Sequence, residues 1–233
     1  QNDISTMEIK SAVSHAPIIL NGDAEIDAFC SGNTTDGLSW ASAHVIENYE
    51  FTTSGTYGFL LNQTTRYVIV QNIQFTSGLN YAMALLNASN VKILNMFTNQ
   101  WSYSIFINEC ENITISQGNF ENTGYGIRIE QSQNVSISES RFAFDGSGRV
   151  MTDPLYVINS ENITVDLCDF NALYKSLSNT PYCSIINTIG FAMLNSTMDS
   201  SRTQNVAPAF LEISGGSHSQ VINNSVSNTE QWG

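Results

Sequence analysis

The residues with the most evident chemical capacity in this chain are Arg128 and the segment running from Asp145-Gly-Ser-Gly-Arg149 to Asp153-Pro154. Carboxylates next to guanidiniums supply what proton transfer needs: one group to take a proton, one to give it, and a cation to steady developing charge. Asp-Gly and Asp-Pro are also ordinary turn pairs, so the same residues read as a polar loop. Other constellations are absent from the sequence. His15, His44 and His218 stand far apart, and Cys30, Cys110, Cys168 and Cys183 contain no Cys-x-x-Cys pair. Zinc-ribbon and redox motifs therefore fail, and no metal or cofactor is expected.

The elements that position these residues announce themselves as a repeat. Four segments align on Asn90, Asn112, Asn134 and Asn162, which are 22, 22 and 28 residues apart. Counting from each Asn, positions −7, −5, +1 and +3 are apolar: Ile127, Ile129, Val135 and Ile137 in one copy, Leu155, Val157, Ile163 and Val165 in the next. Such period-two alternation, broken by a polar turn, makes two short strands per repeat. A unit of about 22 residues cannot bury its apolar face alone, so neighbours must stack. The expected architecture is all-β: a single right-handed parallel β-solenoid of about seven to eight coils. Residues 17–226 form the coils of this one domain, 1–16 a cap or assembly segment, and 227–233 a tail. No amphipathic helix is visible.

Stacking turns identical positions into columns. Asn90, Asn112, Asn134 and Asn162 are expected to form an internal ladder, since Asn tolerates the left-handed backbone of tight turns. Phe97, Phe120, Phe142 and Phe170 read as a core column. Tyr81, Tyr103 and Tyr125 recur nine residues before their anchors; their parity matches the inward positions and predicts a core or turn-lining stack. The alternative for that column is a sugar-stacking platform, and Trp101 or the tyrosines are the aromatic candidates for a glycan-binding surface. Eight Asn-x-Ser/Thr sequons occur, of which Asn33, Asn62 and Asn195 are the glycosylation candidates, because those at Asn112, Asn134 and Asn162 follow from the repeat.

Composition narrows the partners. Only 12% of residues are charged, against 26 Asn and 29 Ser, and eight basic against 21 acidic residues give a net charge of −13. A surface this negative repels phosphate backbones, which excludes nucleic acid. No apolar run approaches the ~20 residues that span a bilayer, so membrane insertion is excluded too. The chain opens on Gln1 rather than Met, which points to a product of leader removal and, with the sequons, to an extracellular or cell-surface location. Export makes one or two disulfides among the four cysteines an expectation, with three pairings open.

The rung form Gly124-Tyr-Gly-Ile-Arg-Ile leading to Asn134-Val-Ser-Ile, and the opening His15-Ala-Pro-Ile-Ile-Leu-Asn-Gly-Asp-Ala-Glu-Ile, resemble the parallel β-helix repeats of the carbohydrate-binding and sugar-hydrolase superfamily. The Asn/Ser-rich, charge-poor character is similar to that of secreted sheath and surface-layer components of archaea. That resemblance implies a structural, non-enzymatic protein that assembles with copies of itself through solenoid ends or edges. The alternative is a polysaccharide lyase, hydrolase or epimerase, or a glycan-binding module contacting cell-surface glycans. In the enzymatic case the site would draw on Arg128, Asp145, Arg149 and Asp153, although no facing carboxylate pair of the kind glycosidases use is evident.

Overall fold

The computed structural model describes residues 12–52, 55–144, 151–172, 183–199 and 210–227. Within each regular turn the chain passes through three strand positions, and each strand pairs in parallel with its counterparts in the adjacent turns, those at the two ends on one side only. The first strand column contains Ile18–Asn21, Tyr57–Thr64, the opening of Tyr81–Asn99, Tyr103–Asn108, Tyr125–Glu130, Asp153–Ile158, Cys183–Ile186 and Leu211–Ser214. Its register runs Phe59, Met83, Ile105, Ile127, Leu155, Cys183, Leu211, in steps of 24, 22, 22, 28, 28 and 28 residues. The regular stack is thus a single parallel β-solenoid of about six turns at a spacing of about 24 residues. That count falls slightly below the expected seven to eight, because the first step, from Ile18 to Phe59, is a 41-residue excursion rather than a repeat.

The corners explain the Asn content. Asn90, Asn112, Asn134 and Asn162 sit at φ of 53–60°, and a second set of left-handed residues, Glu109, Gln131, Asn159 and Asn187, at 48–55°. An L-residue in this region costs roughly 1–2 kcal/mol, least for Asn, whose short amide bonds locally. The amides also bond along the stack: Asn112 Nδ2 donates to Asn90 Oδ1 (3.4 Å) and Asn162 Nδ2 to Asn134 Oδ1 (3.2 Å). Contrary to expectation this ladder is not internal. Asn112, Asn134 and Asn162 are exposed, since a left-handed corner turns its side chain away from the core.

Inside, the alternating apolar positions form one continuous core from Ile18 to Met198. Each fully buried aliphatic or aromatic side chain contributes roughly 1.5–3 kcal/mol. Phe51 stacks on Phe75 (4.9 Å), and Phe120, Phe142 and Phe170 form a second run at 5.0 and 4.7 Å. Phe97 does not belong to it. Thr98 pairs with Phe120 and occupies the inward slot, while Phe97 pairs with Asn119 and is only half-buried. Counted from the left-handed corner at Asn95, Phe97 has even offset and faces outward. Trp101, fully buried, fills the space that the smaller Thr98 leaves and packs on Phe75 at 5.8 Å. It is therefore no surface platform.

The 41-residue excursion holds the one α-helix among the described residues, α1 (Gly22–Phe29), which sequence reading missed. Glu25 accepts the backbone N–H of Asn21 (2.7 Å), and Asp23 and Glu25 lie in the first turn, where the helix dipole favours negative charge. Ile26 is buried and anchors α1 to the stack. Its polar face bonds to the next turn. Asp23 accepts Thr64 Oγ1 (2.7 Å), Thr65 N (2.9 Å) and Thr65 Oγ1 (3.0 Å).

Candidate functional site

The first strand column does not alternate strictly. In Tyr125–Glu130 the second and third residues, Gly126 and Ile127, are both buried, and the same pair of inward positions recurs in Tyr103–Asn108. This break in parity sets Tyr125 and Arg128, three residues apart, on one outer face, and it corrects the inward assignment of the tyrosines. Tyr57, Tyr81, Tyr103 and Tyr125 are half-buried and stack along the axis, with centroids 5.4, 4.7 and 4.6 Å apart. Asp153 takes the same register position one turn on, paired with Tyr125. The neighbouring column carries Phe106, Arg128 and Tyr156 in register. Phe106 meets Tyr81 at 5.3 Å, and the Arg128 guanidinium lies over the Tyr156 ring at 4.9 Å.

Electrostatics differentiates these groups. Arg128 Nε donates to Glu130 Oε1 (2.6 Å), and its Nη2 contacts the same oxygen, so the arginine is oriented and charged. Burial pushes the Tyr125 phenol above its usual value of 10, and the Asp153 carboxylate beside it adds to the shift. Burial raises Tyr81 as well. Both phenols therefore stay protonated through the neutral range. One face thus presents a proton donor in Tyr125, a largely buried carboxylate in Asp153, and a fixed cation in Arg128.

Of the residues singled out from sequence, Arg128 and Asp153 lie in adjacent turns and each acts electrostatically on Tyr125, while Asp145 and Arg149 lie outside the described residues. The glycosylation candidates are placed but engaged. Asn33 Nδ2 donates to Val45 O (3.0 Å), Asn62 Nδ2 to Asn21 Oδ1 (3.1 Å) and Asn195 Nδ2 to Asp166 Oδ1 (2.9 Å). Cys30, Cys110, Cys168 and Cys183 form no disulfide; all four are buried thiols. No pair among them is bridged within the chain. Burial pushes the thiols of Cys30 and Cys110 up to about 11 and that of Cys168 to about 12.

Two constellations escaped the sequence reading, and a third, the tyrosine stack, was expected but with the wrong facing, because the parity break is something no simple alternation count registers. His44 bridges Thr35 Oγ1 (Nδ1, 3.0 Å) and Asp27 Oδ1 (Nε2, 2.9 Å), a chain of residues 27, 35 and 44 with no recognisable spacing. Gly37 closes over the His44 ring, where an added Cβ would come within 2.6 Å, so this array staples a loop and offers no room for a ligand. On the third strand of each turn (here Asp169–Ala172 and Thr197–Asp199), Asp169 and Asp199 share an outer face in adjacent turns. Their register, Asn171 with Asp199, sets the Cα atoms of Asp169 and Asp199 about 8 Å apart. Asp169 Oδ1 accepts Thr197 Oγ1 (2.8 Å), whereas Asp199 Oδ1 and Asn171 Oδ1 are buried without a hydrogen-bond partner. Among the described residues no three His, Cys, Asp or Glu side chains converge to hold a metal ion, and no helix is long and apolar enough to cross a membrane.

No curated protein sequence matches the chain. Solved structures do. The A-module of a mannuronan C-5 epimerase from Azotobacter vinelandii superposes with a TM-score of 0.51 at 12% identity over 78% of this chain and 57% of that one, so this chain spans a little over half of it. A DFA-IIIase from Arthrobacter chlorophenolicus A6, without its lid, gives 0.52 at 10% identity over 95% and 76%. An alginate lyase from Paenibacillus sp. FPU-7 gives 0.52 at 11% identity over 93% and 97%. At these identities the likeness is one of fold. The neighbours so named are an epimerase, a DFA-IIIase and a lyase, which stands against the expectation of a self-assembling, non-enzymatic envelope protein. Residues 18–170, two-thirds of the sequence, match the model of the right-handed beta helix region, and the chain belongs to that family.

Proposed function

We propose that the protein is a secreted carbohydrate-active enzyme whose polysaccharide substrate lies along the first strand column and reacts beside Tyr125, Arg128 and Asp153. The observation that carries this reading is the shared outer face of a phenol held protonated, a carboxylate one turn away and an oriented guanidinium. Elimination, epimerisation and hydrolysis of a glycan all require a proton to leave one atom and another to arrive. In this arrangement Asp153 takes the proton, Tyr125 gives one, and Arg128 fixes a polar or anionic substituent of the reacting sugar. The stacked tyrosines cover one another's faces, so they offer a substrate their edges and hydroxyls along successive turns.

Turnover of a panel of neutral and uronate polysaccharides tests the reading, followed by new reducing ends and by the ultraviolet absorbance of an unsaturated uronide. Tyr125→Phe and Asp153→Asn are each expected to lower kcat by about 10²–10⁴, the usual share of general acid–base catalysis. Turnover of no substrate in the panel, or variants as active as the parent, would overturn it.

A second reading rests on the unpartnered Asp199 oxygen. Asp169 and Asp199 lie on one outer face of adjacent turns with Cα atoms about 8 Å apart, and glycoside hydrolysis uses two carboxylates that flank the scissile bond. Reducing ends without unsaturated product, lost in Asp199→Asn and retained in Tyr125→Phe, would place the chemistry there.

A further inference from the structure

Identical side chains held in register share their chemistry as well as their packing. Among the described residues, phenol stacks on phenol only in the first strand column, where Tyr57, Tyr81, Tyr103 and Tyr125 pair turn by turn. The remaining described tyrosines have other neighbours. Tyr49 lies against His15 and Phe51, Tyr67 against Trp40, and Tyr156 under the Arg128 guanidinium. Along the column the fit tightens. Interplanar angles fall from 24° and 22° to 7°, and centroid separations from 5.4 and 4.7 Å to 4.6 Å. Tyr103 and Tyr125 therefore lie almost parallel at the close end of the range for stacked rings, on strands spaced about 4.8 Å apart. Both are half-buried: their faces are covered and their edges reach the surface.

We propose that Tyr103 and Tyr125 form an oxidative modification site, at which a one-electron oxidant joins the two rings carbon to carbon as dityrosine and ties two turns of the solenoid together. The inference stands whether or not the same face turns over a substrate. Each phenol gives up one electron and one proton. Tyr125 has the Asp153 carboxylate one turn on to receive its proton, and that of Tyr103 passes to water. The two phenoxyl radicals couple at ring carbons ortho to oxygen. The hydrogens on those carbons then move to the oxygens, which restores two phenols. Two electrons and two protons leave in all, and they convert one molecule of hydrogen peroxide into two of water. Stacking keeps the second ring beside the first radical, and rotation about the side-chain bonds closes the gap that remains. The four thiols, which would compete for the oxidant, are buried. The new bond closes the loop from 103 to 125 and restricts the unfolded chain as a disulfide does, so it stabilises the stack.

Hydrogen peroxide with a haem peroxidase, applied to the dilute intact protein at neutral pH, tests the site. The monomer is isolated and digested after Lys, Arg and Glu. Cleavage at Lys92, Glu109, Glu121 and Arg128 leaves Tyr103 in fragment 93–109 and Tyr125 in fragment 122–128. The two fragments are expected to appear as one species, lighter than their sum by two hydrogen atoms and carrying the blue fluorescence of dityrosine. Tyr103→Phe and Tyr125→Phe, which keep the rings of the stack, should each lose this species, and Tyr156→Phe should retain it. Unfolding in urea before oxidation should scatter the coupling among other pairs. Absence of the linked fragments from the monomer, preferential coupling of a different tyrosine pair, or the same products from native and unfolded chains would each overturn the proposal. Turnover is not read, so failure here is separable from failure of the enzymatic reading.

Discussion

Arg66 grips Asp27 with two hydrogen bonds, Nε to Oδ1 at 2.8 Å and Nη2 to Oδ2 at 2.6 Å, joining helix α1 to a turn 39 residues later. His44 Nε2 shares the Oδ1 atom at 2.9 Å, so one carboxylate ties the helix, the loop and the second strand column together. The bonds from Arg66 hold the Asp27 carboxyl well below its ordinary value of 3.8, at about 2. A depressed carboxylate stabilises the fold fully above the unfolded value and loses that contribution as pH falls toward the folded one. Thermal unfolding followed between pH 5 and about pH 2 should show a decline in melting temperature that is shallower in Asp27→Asn, whose melting temperature at neutral pH is already lower. Equal slopes in parent and variant would refute the role given to this carboxylate.

The cysteines should be inert in the native state. Thiols pushed to about 11 or 12 and shielded from solvent hold almost no thiolate at neutral pH, and thiolate is the reactive form. Ellman's reagent is expected to report little or no thiol in native protein and four per chain after denaturation. Reductant should leave the melting temperature unchanged; a drop on reduction would reveal a disulfide.

Gly126 is the position most intolerant of enlargement near the candidate site. A Cβ there would meet Pro154 O at 2.3 Å and Phe142 Cδ1 at 2.6 Å, contacts that backbone and a stacked ring cannot relax cheaply. Gly126→Ala should destabilise by about 1–3 kcal/mol, in the range of overpacked cores, and disorder the Tyr125 stack. Urea unfolding measures the first effect and near-ultraviolet circular dichroism the second. A neutral substitution would mean that the two columns are further apart than described.

Trp101→Ala should cost about 3–5 kcal/mol in urea unfolding, because it empties a closed space between Phe75 and Gly78. Any glycan binding by the folded fraction should be undiminished, since the ring is fully buried. Loss of binding without loss of stability would return Trp101 to the surface.

What the sequence disclosed depended on how strictly each residue obeyed the repeat. The asparagine anchors and the isoleucine pairs alternate with period two, so the strands and their stacking were legible. Phe97 misled because spacing from Asn90 differs by one from the other copies, and only the left-handed corner at Asn95 reveals that it faces out. The tyrosines misled for a related reason: two consecutive inward residues, such as Gly126 and Ile127, reverse parity without leaving a compositional mark. Helix α1, eight residues long with Ile26 as its one buried side chain, carries too little periodicity to be recognised.

The register also bears on how the chain reaches this state. From Phe59 onward each strand pairs with a partner only 22 to 28 residues away, however long the stack becomes. Loop closure over so short a span is entropically mild, and its cost grows only logarithmically with length. Folding then resembles the growth of a one-dimensional crystal: once two turns have docked, each further turn adds onto a finished template, and a fault halts growth only at its own rung.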